Sequence, residues 1–170
     1  VFEFGCGSGH NLIALGKQIP GIGLVGLDWS ITAVALAQNL AEDNGVRLTA
    51  AQFDFFKPNH MLALGRCDGV LTSGALEQVG DRFEAFLDFL MKRRPRICVH
   101  LEPIVELYNQ NSIFDYVAEH YHTKRGYLRG WLPAILNLEK LGLADVLAIH
   151  RVPFGSQYNE AYSYVVWRPR

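Results

Sequence analysis

The sequence predicts an α/β protein built on a seven-stranded, mostly parallel sheet whose last strand is reversed, with helices on both faces. Two observations carry most of that prediction. Short apolar runs alternate along the chain with stretches of helical periodicity, the pattern of strand-helix-strand units. The last two runs, 144–152 and 160–167, break the alternation. They are joined by a turn-rich loop, Phe154-Gly155-Ser156-Gln157-Tyr158-Asn159, which implies an antiparallel hairpin.

Taken in order, residues 1–4 read as a buried strand, followed by Gly5, Gly7 and Gly9 in a G-x-G-x-G run and a helix over 11–19. Glycine tolerates positive φ and close backbone approach, and a helix start offers unpaired N–H donors, so this turn is a natural ligand cradle. A second strand over 23–28 closes on Asp28. Ser30 is positioned as the N-cap of a helix that runs to 41 and is stopped by Asn44-Gly45. A third strand spans 46–53, with Val46, Leu48 and Ala50 on alternate positions, and Asp54 follows it. The fourth strand is 67–73, then a turn region over 74–79 and a helix over 81–92 with Phe83, Phe86, Leu87 and Leu90 on one face. Pro95 breaks the chain before a fifth strand over 96–102. Residues 103–130 are the least regular stretch, with one helix expected at 112–123, and a further helix over 131–141 ends at Gly142.

Composition narrows the function classes. A chain of 170 residues is expected to form a single domain, 1–170, with a substantial core. Its net charge of −1 comes without a basic stripe, so no nucleic-acid partner is expected. No apolar run reaches membrane-spanning length and no signal-peptide pattern opens the chain, so no membrane partner is expected. The three cysteines, Cys6, Cys67 and Cys98, are far apart in sequence, which suits a reduced, cytoplasmic compartment. Oligomeric state is not readable.

The glycine turn itself selects among cofactors. A dinucleotide fingerprint would need glycine or alanine at position 10, where this chain has His10. A phosphate-binding loop would close on Gly-Lys-Ser/Thr, which is absent. What stands there is an acid, Glu3, two positions before the first glycine. The run Val1-Phe2-Glu3-Phe4-Gly5-Cys6-Gly7-Ser8-Gly9, with Asp28 ending strand two, Asp54 following strand three and the closing pair of strands, resembles the class I S-adenosylmethionine-dependent methyltransferases. The resemblance implies a Rossmann-like sheet, S-adenosylmethionine as cofactor, and a cofactor site formed by Glu3, Gly5, Cys6, Gly7, Gly9, Asp28, Trp29, Asp54, Phe55 and Ser73. Asp28 would accept bonds from both ribose hydroxyls, or merely cap a helix. Trp29 would wall the adenine, or be an ordinary half-buried aromatic. Asp54 would take the adenine amino group and the Phe55 backbone a ring nitrogen. Glu3 would hold the turn or bind the ammonium, and Cys6 fits as a small filler within the turn. The chain opens inside its first strand, so the lead-in or lid that such enzymes carry is expected to be absent.

The methyl acceptor is expected over the carboxyl ends of strands four and five, near Ser73, Glu77, Gln78, Glu102, Tyr108, Tyr158 and Asn159. Glu102 and Tyr158 are the first choices for catalysis, Glu102 as general base or acceptor ligand, with a structural ion pair as its alternative. Strand four ends Thr72-Ser73-Gly74-Ala75, unlike the Asn/Asp-Pro-Pro-Tyr of enzymes that methylate adenine or glutamine amino groups. Leu76-Glu77-Gln78-Val79 is instead similar to the segment after strand four in small-molecule methyltransferases, where a histidine often stands in place of Gln78. His100 reads as a core histidine. His120 and His122 are two apart on a helix and point away from each other, so no metal site is expected. Tyr108, Phe114, Tyr116, Tyr121, Tyr127 and Trp131 would roof an acceptor pocket or belong to the core. Transfer of a methyl group from S-adenosylmethionine to an oxygen or nitrogen of a small molecule is the function implied. A non-catalytic S-adenosylmethionine- or S-adenosylhomocysteine-binding protein, or regulatory subunit, is the alternative.

Overall fold

The structure, a computed structural model, describes residues 1–152 and 163–170. In chain order it contains β1 Phe2–Phe4, α1 His10–Gln18, β2 Val25–Asp28, α2 Ile31–Asp43, β3 Thr49–Gln52, β4 Gly69–Ser73, α3 Glu84–Arg93, β5 Ile97–Glu102, α4 Ile113–Arg125, α5 Trp131–Lys140, β6 Ala144–His150 and β7 Ser163–Pro169. The seven strands form one sheet in the order β3-β2-β1-β4-β5-β7-β6. The first five are parallel, and β7 lies antiparallel between β5 and β6, as the sequence predicted for the last strand. Strand order reverses between β1 and β4, both of which pair with successive residues of the other from Phe2↔Val70 onward. No helix among the described residues is long and apolar enough to cross a membrane.

Boundaries shift where local hydrogen bonding competes with the apolar pattern. The third strand was expected from residue 46, but the amides of Asn44, Gly45 and Val46 turn back onto carbonyls of Leu40, Ala41 and Glu42. Gly45 adopts φ +66° to allow this closure of α2, so β3 starts only at Thr49. The helix expected at 81–92 begins later, at Glu84. Gly80 at φ +65° and an Arg82 N–H bond to the Val79 carbonyl occupy the preceding residues in a turn.

The larger core cluster is aromatic and reaches the end of β1. Phe4 meets Phe53 and Phe86 edge-on, with centroids 4.7 and 5.0 Å apart, and Phe55 meets Phe86 at 4.8 Å. Such edge-to-face pairs contribute about 0.5–1.5 kcal/mol each beyond their area burial. A smaller cluster on the other face joins Cys6, Leu12, Leu24, Ala37 and Ala50 beneath α1 and α2. Both clusters therefore end under the glycine turn.

Candidate active site

The turn after β1 is fixed by backbone geometry. Gly5, Gly7 and Gly9 have φ values of +74°, +51° and +77°, a region that L side chains rarely occupy. Space is as decisive as torsion at Gly5, where a Cβ would stand 2.1 Å from the Cβ of Ala75. At Gly7 a Cβ would meet nothing within 4 Å, so this stretch of backbone faces open space.

Asp28 ties this turn to the next strand. Its Oδ2 accepts the Gly7 N–H at 2.9 Å and its Oδ1 accepts the Ser30 N–H at 2.9 Å. Ser30 in turn caps α2, its hydroxyl accepting the Ala33 N–H. One carboxylate thus spans two loops at the carboxyl ends of neighbouring strands, and a carboxylate retains further lone pairs after two such bonds.

These loops enclose a cleft of about 930 Å³ lined by Gly5, Gly7, Asp28 and Trp29, by 52–57 and Asn59, and by Gly74, Ala75, Gln78 and Val79. It sits at the carboxyl ends of the strands where their order reverses, the place where ligands settle in open α/β sheets. Trp29 is 74% exposed, its ring standing on the rim. Asp54 folds its Oδ1 onto the Phe56 N–H at 2.8 Å, a tight turn that carries Phe55 and Phe56 past the cleft. A groove of about 840 Å³ at the opposite ends of the strands, around Val1 and Lys17, collects no loop from a strand's carboxyl end.

Glu3, Cys6, Gly9 and Ser73 are not part of the cleft lining. Glu3 is buried behind the turn, where its Oε1 accepts from Asn11 Nδ2 at 2.7 Å and its Oε2 has no partner among the described residues. Burial raises its carboxyl to about 7, against the opposing effect of the Asn11 bond. The Cys6 side chain points into the smaller core cluster rather than the cleft, and burial first, then Asp28 and Glu3, lift its thiol to about 12. It is the filler that its size allows.

Glu102, expected as general base, acceptor ligand or structural carboxylate, is not in the cleft lining. It is fully buried, and both oxygens are taken by backbone: Oε1 by Ala75 N–H at 3.3 Å and Leu76 N–H at 3.1 Å, Oε2 by Glu77 N–H at 3.1 Å. It is paired with a turn, not with an arginine. Nothing in the sequence signals this, because the three donors are main-chain groups 25 to 27 residues away. Tyr158 and Asn159, with the loop 154–159, lie outside the described residues.

The remaining candidates separate. Gln78 lines the cleft, while Glu77 beside it is half-buried and raised to about 7 by burial, with Arg125 opposing. His100 is a core residue: its Nδ1 lies 2.9 Å from Thr72 Oγ1, and burial depresses it to about 3. The residues of the aromatic-rich stretch divide between core and surface, and none of them is in the cleft lining. Trp131 is fully buried against Phe83 and His100, whereas Phe114 and Tyr116 are exposed on α4. Tyr108 and Tyr127 flank the buried His122 ring edge-on, at 5.7 and 5.3 Å. Among the described residues no three His, Cys, Asp or Glu side chains gather as a metal site would require.

Comparison with known proteins agrees with this geometry. The family model described as "Methyltransferase domain" matches residues 1–94. The release factor glutamine methyltransferase of Geobacter sulfurreducens is 43% identical over 58 residues, which are 34% of this chain and 20% of that protein. Among solved structures, the mitomycin 7-O-methyltransferase MmcR superposes with a TM-score of 0.71 at 17% identity, covering 99% of this chain and 48% of its own. The N,N-8-amino-8-demethyl-D-riboflavin dimethyltransferase RosA from Streptomyces davawensis gives 0.70 at 16% identity, covering 99% and 49%. The chain thus spans a fifth of that curated relative and about half of each of these two structures. At such identities the structural likeness speaks for the fold.

Proposed function

Because this chain belongs to the methyltransferase-domain family, we propose that it transfers a methyl group from S-adenosylmethionine to an oxygen or nitrogen of a small molecule. The observation that carries the reading is the cleft at the strand-order reversal, where bare glycine backbone is pinned to Asp28. The residues suit the cofactor. Gly7 leaves room against the main chain, Asp28 keeps acceptor capacity for ribose hydroxyls, and the exposed Trp29 ring offers an apolar face for adenine. Asp54 and the Phe55 backbone would meet the adenine edge, and Glu3, its Oε1 on Asn11, would brace the turn from behind. When bound, S-adenosylmethionine supplies a methyl group already activated on sulfonium, so alignment is the main demand on the protein.

Gln78 and the Gly74–Ala75 backbone form the wall nearest β4 and would orient the acceptor. A small acceptor is supported by the solved relatives named for mitomycin and a riboflavin derivative. It is supported also by the absence of Asn/Asp-Pro-Pro-Tyr at the end of β4 in a chain whose curated relative is named for glutamine. The burial of Glu102 favours the second reading, a protein that binds this cofactor without catalysis. Incubation with methyl-labelled S-adenosylmethionine and a panel of hydroxyl and amine acceptors separates the two. Label in a product supports transfer, binding without label leaves the second reading, and absence of binding overturns both.

A further inference from the structure

We infer that Glu102 is a positioning residue for the cleft: from within the core it holds the turn after β4 against Gly5 and so sets the shape of the ligand cradle. The inference rests on the cleft being the S-adenosylmethionine site. Three consecutive amides, of Ala75, Leu76 and Glu77, donate to the two oxygens of this single carboxylate at 3.1–3.3 Å. The neighbouring amides are engaged elsewhere, Gly74 with the Leu101 carbonyl and Gln78 with that of Ala75, so the carboxylate holds the middle of the turn while the sheet holds its start. Beneath the turn, the Thr72 hydroxyl at the end of β4 is paired with His100 of β5 at 2.9 Å, which ties together the two strands that carry the turn and the carboxylate.

The other side of the same turn is the cleft. Gly74, Ala75, Gln78 and Val79 line it, and the Ala75 methyl lies where a Gly5 side chain would be. A turn released from Glu102 therefore moves a cleft wall and loosens the contact that shapes the glycine cradle. The carboxylate acts through backbone and touches no ligand.

Glu102→Gln, Glu102→Asp and hydrogen exchange test this. S-adenosylhomocysteine should bind Glu102→Gln about tenfold or more weakly, with partial recovery in Glu102→Asp, which keeps the charge. The amides of 75–77 should exchange faster in Glu102→Gln than those of β4 and β5. Wild-type affinity in a folded Glu102→Gln protein overturns the proposal, even with a lowered unfolding midpoint, because a purely structural role predicts that result. Should the variants not fold, wild-type exchange decides. S-adenosylhomocysteine should slow exchange at 75–77 although those amides bond Glu102, and unchanged exchange overturns the proposal. If wild type binds no S-adenosylhomocysteine, the reading of the cleft has failed. Exchange at 75–77 in Glu102→Gln then tests the grip on the turn by itself, and unaltered rates overturn it.

Discussion

Asp28 and Glu3 are both acids beside the glycine turn, yet their surroundings give them different duties. Asp28 accepts one backbone N–H on each oxygen, from Gly7 and Ser30. Asp28→Asn replaces one acceptor with an NH₂ group and removes the charge, so a stability loss of about 1.5–3 kcal/mol is expected from urea unfolding. Glu3 has one oxygen on Asn11 and one buried without a partner among the described residues, and burial raises it to about 7 from 4.5. The folded state then binds this proton more tightly than the unfolded chain. Its contribution to stability is present below about pH 4.5 and is lost as pH rises through about 7. Glu102, also raised to about 7 by burial, adds a loss of the same sign. Urea midpoints at pH 5 and pH 8 should show a smaller fall in Glu3→Gln than in wild type, and an equal fall would contradict the assignment. The glycines, Glu3 and Asp28 were legible in the sequence because a strand, a turn and a helix start constrain residue type at fixed spacing. The duty of Glu102 was not, since a carboxylate at a strand end looks alike whether it faces ligand or main chain.

At the scale of elements, the start of α2 follows from one residue and its end from three. Ser30 accepts the Ala33 N–H, and Ser30→Ala should cost about 1 kcal/mol by loss of that cap, measured by urea unfolding. The cap was readable as a serine before an apolar-periodic run. The return of residues 44–46 onto α2 was not, because Val46 and Leu48 fit a strand pattern equally well until the amides are traced. The stretch 103–130 resisted reading for a related reason. Its aromatics lack one consistent period, since Tyr108 and Tyr127 pack on the buried His122 while Phe114 and Tyr116 face solvent.

The whole molecule brings these parts together by strand order. Reversal between β1 and β4 sets the glycine turn opposite the turn that Glu102 holds, and both rest on the same aromatic core through Phe4, Phe55 and Phe86. Phe86 is fully buried, and Phe86→Ala should lower stability by about 3–5 kcal/mol, read as a fall in the urea midpoint. The alternation of strands and helices made the sheet legible, and the turn-rich sequence 154–159 made the reversal of the last strand legible. The position of β7 between β5 and β6 needed the structure. The central claim is that the cleft at this reversal holds S-adenosylmethionine through the glycine turn and Asp28. Calorimetric titration of wild type and Asp28→Ala with S-adenosylhomocysteine tests it most directly. The account predicts saturable one-to-one binding to wild type, weakened about tenfold or more in the variant by loss of hydrogen bonds to a charged group. No binding to wild type, or equal binding to both, would contradict it.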